Sequence, residues 1–427
     1  MAQATPDIVE EHVDMAEFLL GQRELALASL DFDAADLADL DERLVAHVDA
    51  LALAGRVGRA TCASELEGGS RGRACAAGLA ALASCDAERV DDVVRAFGAA
   101  AGPTLEGLAL ALGLGGAAAG AAARARIAEG DLDDPLRAAA ALRAATAARD
   151  ADAALVARCL ALPAVEPQRA ACEAIGALRL HRLADAVRER AGAADAALRA
   201  AALRALALVT APDARARCLE AAARASGDAP TDDDLALACA ALEVLGAIAS
   251  PDDADAIGRL ATGGAAPVAR AALLALAGLG TPEAVEAIVA CVEAGRESGT
   301  AGVAYLYVVG ALDERPAERL HAQPPERARD DAALVAEAQA WDASSDLPAF
   351  DPSRVRADWE ARRAALAPRT RHRAGVALAI DAGVAPTSPL PLQRLEAVAA
   401  ALARPAAVLE PVEALRSPLV RAAVAAC

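Results

Sequence analysis

The stretch Val268–Val292, VARAALLALAGLGTPEAVEAIVACV, decides the fold, because the chain says nearly the same thing several times. Gln168–Arg179 reads QRAACEAIGALR, Arg199–Cys218 reads RAAALRALALVTAPDARARC, and Ala238–Ile257 reads ACAALEVLGAIASPDDADAI. Counting from two residues before the Ala-Ala-apolar triplet, positions four, seven and ten are apolar each time. They are Cys172, Ile175 and Leu178; Leu203, Leu206 and Val209; Leu242, Leu245 and Ile248; Leu273, Leu276 and Leu279; and, from Gly302, Leu306, Val309 and Leu312. Spacings of three and four put such residues on one stripe of a helix. Position eight is Gly176, Gly246 or Gly310, or Ala207 or Ala277, small enough for a neighbouring helix to come close. Weaker copies start near Cys75, Glu106 and Ala138, and the eight starts are separated by 31, 32, 30, 31, 39, 31 and 33 residues. The long step holds SGDAPTDDD (Ser226–Asp234), which predicts a loop insertion.

Each copy then breaks at Ala211-Pro212-Asp213, Ser250-Pro251-Asp252 or Thr281-Pro282-Glu283. Ser and Thr are good N-caps, and Pro suits a first helical turn because its missing N–H would be unpaired there. Cys218, Ile257 and Ile288 follow six residues after each Pro. Each unit therefore predicts two antiparallel helices, and neither can bury its apolar face without a neighbouring pair. The expected fold is all-α: an α-solenoid of about eight stacked helix pairs over 66–313, with helical N- and C-terminal caps. The expected division is an acidic helical cap over 1–65, the array over 66–313, a loop, helix (DDAALVAEAQAWD) and linker over 314–353, and an Arg-rich helical region over 354–427.

Composition agrees. The 427 residues are 56% hydrophobic but only 2% aromatic, and Ala, the best helix former, supplies most of the apolar count. The formal net charge is −19. That sign opposes binding to nucleic acid, which needs a basic face, and to an anionic membrane surface. The nine Cys show no C-x-x-C and no regular pairing, so no disulfide framework is expected, and several occupy aliphatic positions of the repeat. The acidic N-terminus lacks an apolar signal region, and Gly107–Ala123, though uncharged, is mostly Ala and Gly. The expected compartment is the cytoplasm.

A helix pair of about thirty residues with x-x-A-A-L-x-A-L-G-x-L and a Pro-acid turn resembles the HEAT repeat, in its short bacterial form related to phycobilin lyases. The resemblance covers roughly 71–313. The ends, Asp7–Leu20 with Leu40–Leu51, and Asp351–Gly375, are similar to those of an uncharacterised bacterial HEAT-repeat family. Some of its members lie near type VI secretion genes. The resemblance implies a protein-binding solenoid, as an accessory factor of such a secretion system, or a lyase or chaperone-like enzyme acting on a cofactor-bearing protein.

Motifs for chemistry are few. His12, His47, His181, His321 and His372 are far apart in sequence, and the paired His-Glu steps of HEAT-like di-iron hydroxylases are missing. LGLGGAAAG (Leu112–Gly120) has the glycines of a phosphate loop but falls within a helical repeat, where a dinucleotide fingerprint needs a strand before it. A Cys nucleophile needs a nearby base and a lowered pKa, and no Cys here announces either. The expectation is no enzyme, no cofactor and no metal.

Two surfaces invite a partner. Outward positions of three second helices carry Asp213, Glu220, Asp252, Asp255, Arg259, Glu283 and Glu286. Second helices line the concave side of HEAT arrays, so these acids predict either an acidic groove for a protein with a basic surface or simple compensation of helix dipoles. The second surface is RVRADWEARRAALAPRTRHR, with seven Arg from Arg354 to Arg373. Arg354, Arg356, Trp359, Arg362 and Arg363 predict a basic patch, a solvated helix anchored by its Trp to the last repeat, or a segment that docks on the acidic N-terminus of another copy. That N-terminus holds thirteen acids against two Arg through Gly55. The oligomeric state stays open between a monomeric scaffold and a self-assembling structural subunit.

Overall fold

The computed structural model describes residues 5–115, 118–130, 132–227, 229–310, 347, 350–378 and 387–403. The expected second half of the eighth pair, the helix at 330–342 and the chain beyond 403 lie outside them. Among the described residues the fold is all-α, with twenty α-helices.

First helices of the repeats are α4 (Arg71–Ala83), α6 (Gly102–Leu114), α8 (Pro135–Ala147), α10 (Val165–Ala177), α12 (Ala196–Leu208), α14 (Asp232–Ile248), α16 (Ala266–Leu279) and α18 (Ser298–Val309). All eight predicted starts fall inside them. Second helices are α5 (Ala87–Ala99), α7 (Ala118–Glu129), α9 (Ala153–Ala161), α11 (Ala184–Arg190), α13 (Ala214–Arg224), α15 (Ala254–Gly263) and α17 (Pro282–Glu293). The N-terminal cap has three helices, α1 (Pro6–Ala28), α2 (Ala34–Leu53) and α3 (Gly55–Gly68). At the C-terminal side are α19 (Pro352–Arg362) and α20 (Leu390–Ala403), with a small antiparallel hairpin between them, His372–Arg373 against Val376–Ala377. The Arg-rich region was expected to be helical throughout. It is interrupted here because Ala374 and Gly375 both take positive φ, which turns the chain.

The chain divides into two units, one carrying α1–α12 and the other α13–α20. In the first, α4, α6, α8, α10 and α12 pack successively, as do α5 and α7, and α1, α2 and α3 close on α4. In the second, α14, α16 and α18 pack successively, α15 lies against α17, and each second helix packs on the first helix that follows it. Periodicity predicts this core. Ile175, Leu206, Leu242, Leu245, Leu273 and Leu276 are fully buried, each worth roughly 1.5–3 kcal/mol. Close approach matters as much in an Ala-rich stack. A Cβ on Gly278 would sit 2.7 Å from the Gly246 carbonyl oxygen, and Gly246 itself lies against the Ala275 Cα. Any side chain there pushes α14 and α16 apart.

The breaks behave as N-caps, with variations. Thr281 Oγ1 accepts from Ala284 N–H and Pro282 opens α17. Ser250 and Asp253 form a reciprocal capping box around a 3-10 turn that leads into α15. Pro212 precedes its helix, which begins only at Ala214 without a side-chain cap. The predicted insertion ends earlier than expected: Thr231 and Asp234 form a capping box, and Asp232–Asp234 are the first turn of α14. Gly113 lies within α6 and Gly120 within α7, so among the described residues these glycines sit in helices and follow no strand. No described helix is long and apolar enough to cross a membrane.

Candidate protein-binding face

The two predicted surfaces of the second unit meet each other. On α17, Glu286 and Glu293 are seven residues apart and share a face. On α19, whose N-cap Asp351 accepts from Arg354 N–H at 3.0 Å, Val355 and Trp359 are four apart and point inward, both buried. Arg356 on the same helix forks onto both glutamates. Its Nε and Nη2 reach the two Glu293 oxygens at 2.7 and 2.6 Å, and Nη1 reaches Glu286 Oε1 at 2.6 Å. The Trp359 indole N–H donates to the other Glu286 oxygen at 2.6 Å. Burial works to raise the Glu286 carboxyl, but the hydrogen bonds from Arg356 and Trp359 win and hold it below its ordinary value. Glu293 is held low chiefly by Arg356.

Around this clasp, Tyr305 of α18 donates its hydroxyl to Asp358 at 2.6 Å, and Arg362 binds the other Asp358 oxygen at 2.9 Å and the Gly310 carbonyl at 3.0 Å. Phe350 seats on Gly302, which has no Cβ to obstruct the ring. Burial first, then the Asp358 hydrogen bond, raises the Tyr305 hydroxyl pKa, so it stays a donor. Arg354 and Arg363 face outward and pair within α19 or its cap, with Asp351 at 3.8 Å and Glu360 at 3.2 Å.

Beyond α19 the chain runs across the C-terminal ends of three first helices. The Arg371 guanidinium donates to the Gly246 and Ala247 carbonyls of α14 at 3.3 and 3.4 Å. His372 N–H donates to the Gly280 carbonyl after α16 at 2.8 Å, and Ala374 and Gly375 N–H donate to Tyr307 and Val308 of α18 at 2.9 Å each. These carbonyls have no partner within their own helices, so the segment supplies what the helix ends lack. Arg369 meets Asp252 at 2.8 Å and holds its carboxyl low. Glu396 on α20 accepts from Tyr307 at 2.7 Å and pairs with Arg373 at 2.8 Å.

The expected acidic stripe is thus partly occupied by the same chain. Glu286 and Asp252 are engaged by Arg356, Trp359 and Arg369. Asp213 and Glu220 pair along their own helix with Arg217 at 2.6 Å and Arg224 at 3.3 Å. Asp255, Arg259 and Glu283 are exposed.

Sequence reasoning missed several partners. Glu293 repeats Glu286 at heptad spacing, a signal that was legible. Arg215 stands where the sister repeats bury Ala254 and Val285. It is exposed and forks onto the buried Asp253 of the next pair at 2.7 and 2.6 Å. An Arg in a core register signals a carboxylate opposite.

Two of the histidines that lie far apart in sequence, His12 and His47, are neighbours in the fold. Antiparallel packing of α1 on α2 brings His12 Nδ1 to 2.9 Å from His47 Nδ1. Burial, then His12 and Arg43, lower the His47 pKa against the opposing pull of Glu11. Among the described residues seven cysteines lie outside any disulfide, and burial pushes Cys75, Cys172 and Cys218 up to about 12 and Cys159 and Cys291 to about 11. These side chains act as small apolar packing residues. Cys85 is disulfide-bonded, a bond that cysteine spacing does not predict.

No family model matches the chain, and no curated protein does. Among solved structures, a crystal structure described as an engineered protein of the Northeast Structural Genomics Consortium is similar at 16% identity. It covers 76% of this chain and 97% of that one, with a TM-score of 0.33. A likeness of that degree adds nothing to the fold already described.

Proposed function

We propose that this chain is a non-catalytic protein-binding scaffold of the HEAT type, working in the cytoplasm. Its second-helix face takes an Arg-bearing segment of a partner protein, and its own α19 covers part of that face. The observation that carries the reading is the grip of Glu286 and Glu293 on Arg356 and Trp359: the face already seats one Arg–Trp helix. A bidentate Arg on paired carboxylates, with an indole anchored beside it, is a recurring mode of protein recognition. Exposed Asp255 and Glu283 extend the same face beyond α19. A partner held this way should bind less tightly as salt rises.

The test is affinity purification from the native cell, comparing the natural chain with the double variant Asp255→Arg, Glu283→Arg. Proteins retained by the natural chain should be lost by the variant while its helical circular dichroism is unchanged. Recovery of the same proteins at the same yield by both would end this reading.

A further inference from the structure

The first helix presents a second surface, unrelated to the acidic face. We propose that the outer side of α1 is a two-fold interface at which a second copy of this chain docks, α1 against α1, antiparallel.

The surface itself is unexpected for an acidic cap. One side of α1, Val9, Val13, Ala16, Leu20 and Leu27, is buried within the unit. The end cap of a helical solenoid ordinarily turns a polar side outward. Instead Ile8, Phe18 and Leu25 are 52, 53 and 58% exposed, and they make three of the seven exposed large hydrophobics among the described residues. Met15 joins them, partly exposed. The chain has only four Phe, and Phe97 and Phe350 are buried. Four of the six acids of α1 turn away from this stripe, toward the start of α4. Arg73 pairs with Glu10 and Asp14, Arg71 with Glu24 at 2.5 Å, and Ser70 hydrogen-bonds Glu17. That flank is neutralised within the chain and leaves the apolar stripe open.

The spacing of the stripe points to the occupant. Positions 8, 15, 18 and 25 follow a heptad pattern, with Glu11 and Gln22 filling the remaining two places. The pattern reads the same in both directions. Laid antiparallel on its own copy, Ile8 faces Leu25, Met15 faces Phe18, and Glu11 faces Gln22, whose amide can donate to the carboxylate. A two-fold interface requires this self-complementarity, since residue i meets j wherever j meets i. The flanking place on the solvent side brings Asp14 near Gly21, so no like charges oppose one another there.

Two measurements on the full chain test this. Sedimentation velocity over a concentration series should show a monomer–dimer equilibrium, and Phe18→Glu should weaken the dimer by roughly tenfold or more. Leu25→Glu should do the same, each with helical circular dichroism unchanged. Cross-linking fixes the geometry: under mild oxidation, a mixture of Ile8→Cys and Leu25→Cys chains should form a disulfide between unlike chains, mapped by mass spectrometry. A chain that stays monomeric throughout, a dimer indifferent to Phe18→Glu and Leu25→Glu, or Ile8→Cys chains that cross-link only with themselves would overturn the proposal. Binding of the monomer to lipid vesicles through the same stripe would overturn it as well.

Discussion

Trp359 donates its indole N–H to Glu286 at 2.6 Å across 73 residues of sequence, joining α19 to the second helix of an earlier repeat. Two features of the chain that read as separate surfaces are therefore two halves of one contact. Magnitudes decide which half matters more. Arg356 and its glutamates are partly exposed, and such pairs contribute about 0.2–1 kcal/mol each. Trp359 is buried, and truncating a buried Trp costs about 3–5 kcal/mol.

Trp359→Ala should therefore release α19 and Arg356→Ala should only loosen it. Limited proteolysis around 351–365 should show rapid cleavage in the first variant and a modest increase in the second. Equal resistance in both would place the anchor elsewhere.

The clasp should also respond to acid. Glu286 and Glu293 sit below the ordinary Glu value of about 4.3 in the folded chain. Their contribution is therefore complete above that value and is lost as pH falls through their folded values. In a Trp341→Phe background, Trp359 emission should hold steady from neutral pH to about 5 and then shift to the red below about 4. Glu286→Gln should remove part of that shift.

Asp253 should matter more than its exposed neighbour Asp252. It caps the turn before α15 through Ser250 N–H at 2.7 Å and receives both arms of Arg215. Asp253→Ala should cost roughly 1–3 kcal/mol by urea denaturation. Asp252→Ala, which removes only a solvent-exposed pair with Arg369, should cost measurably less than that.

Close helix approach gives a fourth expectation. Gly278→Val forces a side chain into the Gly246 backbone and should destabilise by roughly 1–3 kcal/mol, while Leu276→Ala should cost about 2–5 kcal/mol through the cavity it leaves. Thermal melts followed by circular dichroism would rank them. A Gly278→Val chain as stable as the natural one would contradict the packing described for α14 and α16.

The repeat made the helix pairs legible because burial of Leu273, Leu276 and their counterparts is a local periodic property. The contacts of α19 were not legible in the same way. Arg356 and Glu286 are 70 residues apart, and nothing in either segment's periodicity specifies the other. A run of Arg was visible, and so was a set of acids, but only tertiary packing pairs them. The hairpin at His372–Ala377 was hidden for a different reason. It is held by the free carbonyls of helix ends, which no side-chain pattern announces. His12 and His47 became neighbours because α1 and α2 pack antiparallel, a consequence of helix lengths and not of any motif.

The most direct measurement is hydrogen–deuterium exchange on the full chain, comparing the natural protein with Glu286→Arg, Glu293→Arg. Amides of α19 should lose protection by roughly tenfold or more, while those of α14, α16 and α18 keep theirs. Unchanged protection of α19 after both charges are reversed would contradict the claim that this acidic face is what seats an Arg–Trp helix.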